Sequence, residues 1–293
     1  MGGRLGPSTG AGCPVGVIVG LSYQTKARVL APGAPVVHAS AHIEAGAEIG
    51  EGCEIGPRVQ IGANVRLGRN VRIDHNVILR GHTIIDDDVE ICTDCIIGGG
   101  VEGEGSMLSV GPRTVLREQV TLAGGTPETG GTMIGGNCFF MVSCDVAPDT
   151  AIGDSCVFAN AAMIGAGCQI DASVWAGGVV IVEPGVRIGA HAFLGLGAEI
   201  VADVIPYGSV YGRPAFLAGL NLIGMKRRGF ARCAINDVRA AYRMLFANEG
   251  GFSERLAYCR EMFDGSAEVS RMLSFISADR EIALCKPRPV APL

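Results

Sequence analysis

Few side chains in this chain could do chemistry, and they are unevenly spread. Among 293 residues there are five histidines, His38, His42, His75, His82 and His191, with none between residues 83 and 190. Clustered imidazoles for a metal are therefore missing from the middle of the chain, and neither a metal nor another cofactor is expected. The acid–base groups left there are carboxylates, Asp145, Asp149 and Glu183 among them. A carboxylate serves as a general base near neutral pH only if burial or a neighbouring like charge raises its pKa. Asp149 with Glu183 as its neighbour is the pair read as catalytic. The competing reading makes Asp149 a turn cap and Glu183 a solvated edge residue. A second group, Asn221 with Lys226, Arg227 and Arg228, offers an amide and three cations to a phosphate or an acidic protein. The same residues also suit a solvated helix start or packing between subunits.

What must position these groups is written in a six-residue beat. A large aliphatic residue returns at Ile43, Ile49, Ile55, Ile61, Leu67, Ile73, Leu79, Ile85, Ile91 and Ile97. The beat resumes at Val110, Leu116 and Leu122, and again from Ile134 through Phe140, Val146, Ile152, Phe158, Ile164 and Ile170. It slips to Ala176 and continues with Val182, Ile188, Leu194 and Ile200. Six fits neither the helical period nor strand alternation. It marks a parallel β-solenoid of hexapeptides. Six cysteines, Cys53, Cys95, Cys138, Cys144, Cys156 and Cys168, stand four residues after a beat residue, where other hexads carry Val59, Val65, Val71, Val77 and Val89. They are small buried hydrophobes in this reading, which also argues against Cys144 as a nucleophile. Unpaired buried thiols favour a reducing, cytoplasmic setting.

Composition narrows the classes further. A net charge of -5 with pI near 5.6 argues against nucleic-acid binding. No apolar run reaches the length of a membrane span. The stretch from Val15 to Leu21 is too short and lacks a basic flank, so no secretory signal is expected. The 44 glycines show no collagen period, and many directly follow a beat residue, as at Gly50, Gly56, Gly62, Gly68, Gly153 and Gly189, where tight turns need them.

The chain divides into an arm (1–35), a solenoid (36–204) and a helical region (205–293). The arm is Gly- and Pro-rich and off the beat. Two segments of the solenoid, 98–109 and 123–133, break or blur the beat and read as projecting loops, where binding tends to occur. Beyond Pro206, Ile235, Val238, Tyr242 and Leu245 recur at helical spacing. Ser253 and Ser266 are the expected caps of two further helices. The exposed ends and flat faces of a solenoid call for capping or oligomerisation.

Four strings occur in order: Arg80-Gly81-His82-Thr83, Arg117-Glu118-Gln119-Val120-Thr121-Leu122, Gly124-Gly125-Thr126, and Asn221 through Phe230 with its Gly-Met-Lys-Arg-Arg-Gly-Phe core. They resemble the UDP-N-acetylglucosamine O-acyltransferases of lipid A synthesis over about residues 36–280. The resemblance implies a homotrimer of left-handed parallel β-helices, each with a C-terminal α-helical domain. It implies transfer of a 3-hydroxyacyl chain from acyl carrier protein to the 3-hydroxyl of UDP-N-acetylglucosamine, in clefts between subunits. It also implies a histidine base oriented by an adjacent Asp. A positioned base contributes roughly 10²–10⁴-fold.

The chain departs from that family where the chemistry sits. The family string His-x-x-His-Asp is matched by Asp145-Val146-Ala147-Pro148-Asp149. The base position is thus Pro148, and only Asp149 is kept. Further family histidines are matched by Gly167, Glu183 and Ala123. With three hexads per coil, positions 148, 167 and 183 are expected to stack along one edge. The loop at 98–109 lacks the family's Asp and Lys and carries Glu102 and Glu104, and Ile223 replaces a Glu. Three readings follow: an acyltransferase with an altered base, donor or acceptor; a non-catalytic relative that binds acyl carrier protein, acyl chain or sugar nucleotide; or a trimeric scaffold for another ligand.

Overall fold

The computed structural model describes residues 33–99, 106–278 and 280–288. The arm up to residue 32, and Glu102 and Glu104 of the first loop, lie outside the described residues. Strands of mostly two residues line three parallel sheets of 11, 9 and 8 strands. The first sheet begins at Val36–Val37, the second at His42–Ile43 and the third at Glu48–Ile49, and each next strand joins the next sheet in turn. The beat explains this. Each hexad contributes one short strand and one turn, and its beat residue points inward.

Ile43 pairs with Ile61, and Ile61 with Leu79, so one coil takes 18 residues. Beat residues from Ile55 to Ile200 are buried, most of them with under 5% exposure. Each such side chain contributes about 1.5–3 kcal/mol when removed from water. Cys53, Cys95, Cys138, Cys144, Cys156 and Cys168 fill the second inward slot with the valines. All ten cysteines among the described residues are free thiols.

Up to Ile200 the coil length changes only at the two loops; beyond it, Leu194 pairs with Val210, a turn of 16 residues. Ile85 stands opposite Val110 and Val110 opposite Ile134, where unbroken coils would place residues 103 and 128. Both extra lengths leave the coil between the second and third sheets. Gly98 makes the first departure possible. Its φ of +81° suits glycine, and a Cβ there would collide with the Arg80 carbonyl and the Thr83 hydroxyl.

The region expected to be helical from residue 205 opens with strands instead. Gly208–Tyr211 extends the first sheet in parallel, and Phe216–Leu220 turns back antiparallel upon it. Val210 and Leu217 are buried there, so this hairpin closes the last coil. Four helices follow: α1 (Leu222–Arg227), α2 (Arg232–Leu245), α3 (Phe252–Met262) and α4 (Ala267–Ser277). The expected helix around Ile235 is α2. The cap of α3 is Gly251, not Ser253, because Glu254 reaches back to the Gly251 amide at 3.2 Å. Ser266 does precede α4, but its hydroxyl makes no capping bond. No helix among the described residues is long and apolar enough to cross a membrane.

The helices are tied to the solenoid by a buried ion pair. Asp203 is fully buried; its carboxylate accepts from the Arg187 backbone N–H and from its Nε, each at 2.8 Å. Arg187 also donates to the Phe275 carbonyl at 3.1 Å and lies over the Phe275 ring. Phe230 packs edge-on against the stacked His191 and Tyr207 rings, which gives the Gly-Met-Lys-Arg-Arg-Gly-Phe string its place at the junction.

Candidate functional site

One corner of the prism gathers the sequence candidates. Between the second and third sheets the chain turns at Gly98–Ser106, Ala123–Thr132, Val146–Thr150, Ile164–Cys168 and Val182–Val186. Both loops and the positions Pro148, Gly167 and Glu183 therefore share an edge. They do not form one column. Asp145 pairs with Met163 and Met163 with Ile181. At that register Pro148 stands over Ala166, Gly167 over Asp149, and Glu183 over Gly165. The Gly167 N–H accordingly donates to the Pro148 carbonyl at 3.0 Å.

Asp149 is held by the second loop. It takes a left-handed φ of +61°. Its Oδ1 accepts from the Thr129 hydroxyl at 2.6 Å, the Thr126 N–H at 2.6 Å and the Thr126 hydroxyl at 3.2 Å. The Thr129 hydroxyl, helped by the Thr126 donors, holds this carboxyl below its ordinary pKa. A base needs the opposite shift. Glu183 does not supply it, because it lies two coils away, roughly 10 Å at the usual strand spacing. The contacts of Asp149 are those of a turn cap. The Glu183 side chain is exposed, and it makes no ion pair among the described residues.

Asp145 differs. It points outward from the strand Asp145–Val146, between Thr121 and Met163 of adjacent strands. The residue is exposed, yet the protein around it removes enough water from the carboxyl to raise its pKa. Gly167 leaves room: nothing lies within 4 Å of where a Cβ would stand. Cys144 is buried and its thiol is pushed up to about 11 by burial, the state of an inert core thiol. No group of three or more His, Cys, Asp or Glu among the described residues could hold a metal.

The second constellation is divided. Asn221 is 9% exposed, and its side chain is used within the chain. Its Oδ1 accepts from the Gly224 N–H at 3.0 Å, capping α1, and its Nδ2 donates to the His191 carbonyl at 2.9 Å. Lys226, Arg227 and Arg228 are exposed at the end of α1. Arg228 is near enough to His191 to help depress its imidazole pKa to about 4, an effect led by burial. A groove of about 510 Å³ lies elsewhere, on the outer face of the third sheet, lined by Arg66, His82, Ile84, Met107 and Pro127. Sequence reasoning passed over three further cations, Arg232, Arg239 and Arg243. Their signal was available, since they recur on the face of α2 opposite its apolar stripe.

This is a hexapeptide-repeat β-helix protein with a looped corner and a basic helical cap. A family model described as UDP-N-acetylglucosamine O-acyltransferase, domain 2, matches residues 203–284, and one described as the GMPPB C-terminal domain matches 37–127. The acyl-[acyl-carrier-protein]–UDP-N-acetylglucosamine O-acyltransferase of Caulobacter vibrioides is 40% identical over 71% of this chain and 84% of the relative. That of Rhizobium etli is 36% identical over 72% and 79%. Among solved structures, the UDP-N-acetylglucosamine acyltransferase of Francisella novicida superposes with a TM-score of 0.81 at 25% identity, covering 86% and 95% of the two chains. That of Campylobacter jejuni gives 0.79 at 26% identity over 85% and 99%. The chain belongs to the UDP-N-acetylglucosamine O-acyltransferase family, and its solenoid is the left-handed β-helix that the family resemblance implied.

Proposed function

We propose that this chain is a homotrimeric, cytoplasmic family member that binds acyl carrier protein thioester and a UDP-amino sugar at the looped corner without turning them over by an imidazole base. The observation behind this reading is the state of Asp149. The one carboxylate retained from the family's base motif is committed to three donors of the second loop and has its pKa depressed. Beside it, the base position is Pro148, which has no titratable group. A sugar hydroxyl left without a base loses the roughly 10²–10⁴-fold that such a group supplies.

A second reading rests on Asp145, the one carboxyl of this corner raised by burial among the described residues. There, transfer continues with Asp145 in place of the histidine, and Lys226, Arg227 and Arg228 hold diphosphate or carrier.

The deciding experiment offers the purified protein 3-hydroxyacyl carrier protein donors of several chain lengths with a panel of UDP-amino sugars, following product and, by calorimetry, binding. Binding without product is the expected result. Transfer that disappears in Asp145→Asn would establish the second reading. Absence of both binding and product would sink both, leaving a scaffold for another ligand.

A further inference from the structure

The outer face of the third sheet changes chemistry along its length. Adjacent coils place Glu48, Arg66, Ile84, Ser109 and Met133 in one outward column. Four steps of about 4.8 Å make that column roughly 19 Å long. Gln169 and Arg187 are paired further on, so the face is polar again beyond it. Outward places on a solvated sheet face ordinarily take polar side chains. Ile84 and Met133 break that rule, at 51% and 49% exposure. Beside the column, Met107 pairs with His82 and is 39% exposed.

Ile84 and Met107 line the groove of about 510 Å³, a volume ordinary for a small-molecule site. Pro127 and Gly130 of the second loop close one side of it. At its other end Arg66 faces Glu48 at 3.3 Å, both exposed. Their charges cancel, and such an exposed pair is worth only about 0–1 kcal/mol, so a ligand can open it. Asn64 and His82 also line this end, and their side chains make no hydrogen bond among the described residues. A carboxylate, a guanidinium, an amide and an imidazole together offer both donors and acceptors. Hydroxyl groups, which donate and accept at once, match that mixture. A charged head would meet one opposite and one like charge. Over the exposed Ile84 and Met107 an apolar chain gains by leaving water. A peptide strand would add to a sheet edge, whereas this groove lies on a sheet face.

We propose that the groove binds an uncharged single-chain amphiphile. Its polyhydroxyl head sits among Glu48, Asn64, Arg66 and His82, and its alkyl or acyl tail runs over Ile84, Met107 and Pro127 toward Met133. The site does not depend on what the looped corner binds or turns over.

The test uses full-length protein carrying ¹³C-methyl methionine, with Met107, Met133 and Met163 assigned through their Met→Leu variants. Octyl glucoside is titrated below the concentration at which it forms micelles. The Met107 and Met133 signals should shift saturably, while Met163, exposed on the second sheet, should not. Glucose alone should shift none of them. Octyl sulfate, with the same tail and a charged head, should need about threefold more ligand or greater. Ile84→Glu should weaken octyl glucoside about tenfold or more without lowering the melting temperature, since the side chain points outward. Equal shifts at Met163 and Met107 would mean that the detergent merely adheres to exposed methionine, and the proposal falls. It falls also if octyl sulfate binds more tightly than octyl glucoside, or if no signal moves.

Discussion

Asp149 shows how one carboxylate can anchor a projecting loop. Its three hydrogen bonds fix the Thr126–Gly131 loop against the corner. Asp149→Ala should destabilise the protein by about 1–3 kcal/mol, the usual cost of leaving buried or charged partners unmet, and expose the loop to hydrogen exchange. Asp149→Asn, which tolerates the left-handed backbone and keeps an acceptor oxygen, should cost less. The pH dependence follows from the depressed pKa. The stabilisation is complete above the ordinary carboxylate range and is lost as pH falls through the lower folded value. Wild type and Asp149→Ala should therefore differ most in urea midpoint near neutrality and converge in acid. The sequence held both fates of this residue. What decided between them was Thr129, twenty residues away and invisible as a partner until the loop is folded.

At the scale of elements, the hexad is the unit of stability. Leu122 is fully buried and stacks between Ile97 and Val146 in neighbouring coils. Leu122→Ala should cost about 2–5 kcal/mol by leaving a cavity in a close-packed column, measured by denaturant unfolding. Almost all of this architecture was legible in the sequence, because a beat of six repeats a local rule over and over. The hairpin at 208–220 was not. It is formed once, so no period announces it, and it depends on the last coil being available to pair with.

Across the whole molecule, the solenoid and the helices act as one body through Arg187 and Asp203. Asp203→Ala would leave a guanidinium largely buried without its partner, a change that typically costs about 3–5 kcal/mol. The expected signature is faster hydrogen exchange in α4 and around Cys285, whose amide donates to the Asp203 carbonyl at 2.8 Å, with slower loss in the coils around Ile61. Uniform destabilisation of the chain would instead mean that the pair serves general stability.

The sequence by itself determined the solenoid, its inward-facing residues, the free core thiols and the lack of histidine between residues 83 and 190. These follow from residue type and period, which need no knowledge of what lies across space. Only the tertiary structure decided that Asp149 is a loop anchor, that Pro148, Gly167 and Glu183 share a corner and not a column, and that Asn221 is a cap. Those outcomes depend on side chains meeting across coils and loops, where a shift of one residue changes the partner. The lack of imidazoles in the middle of the chain was already in the sequence, and the folded chain showed what Asp149 holds.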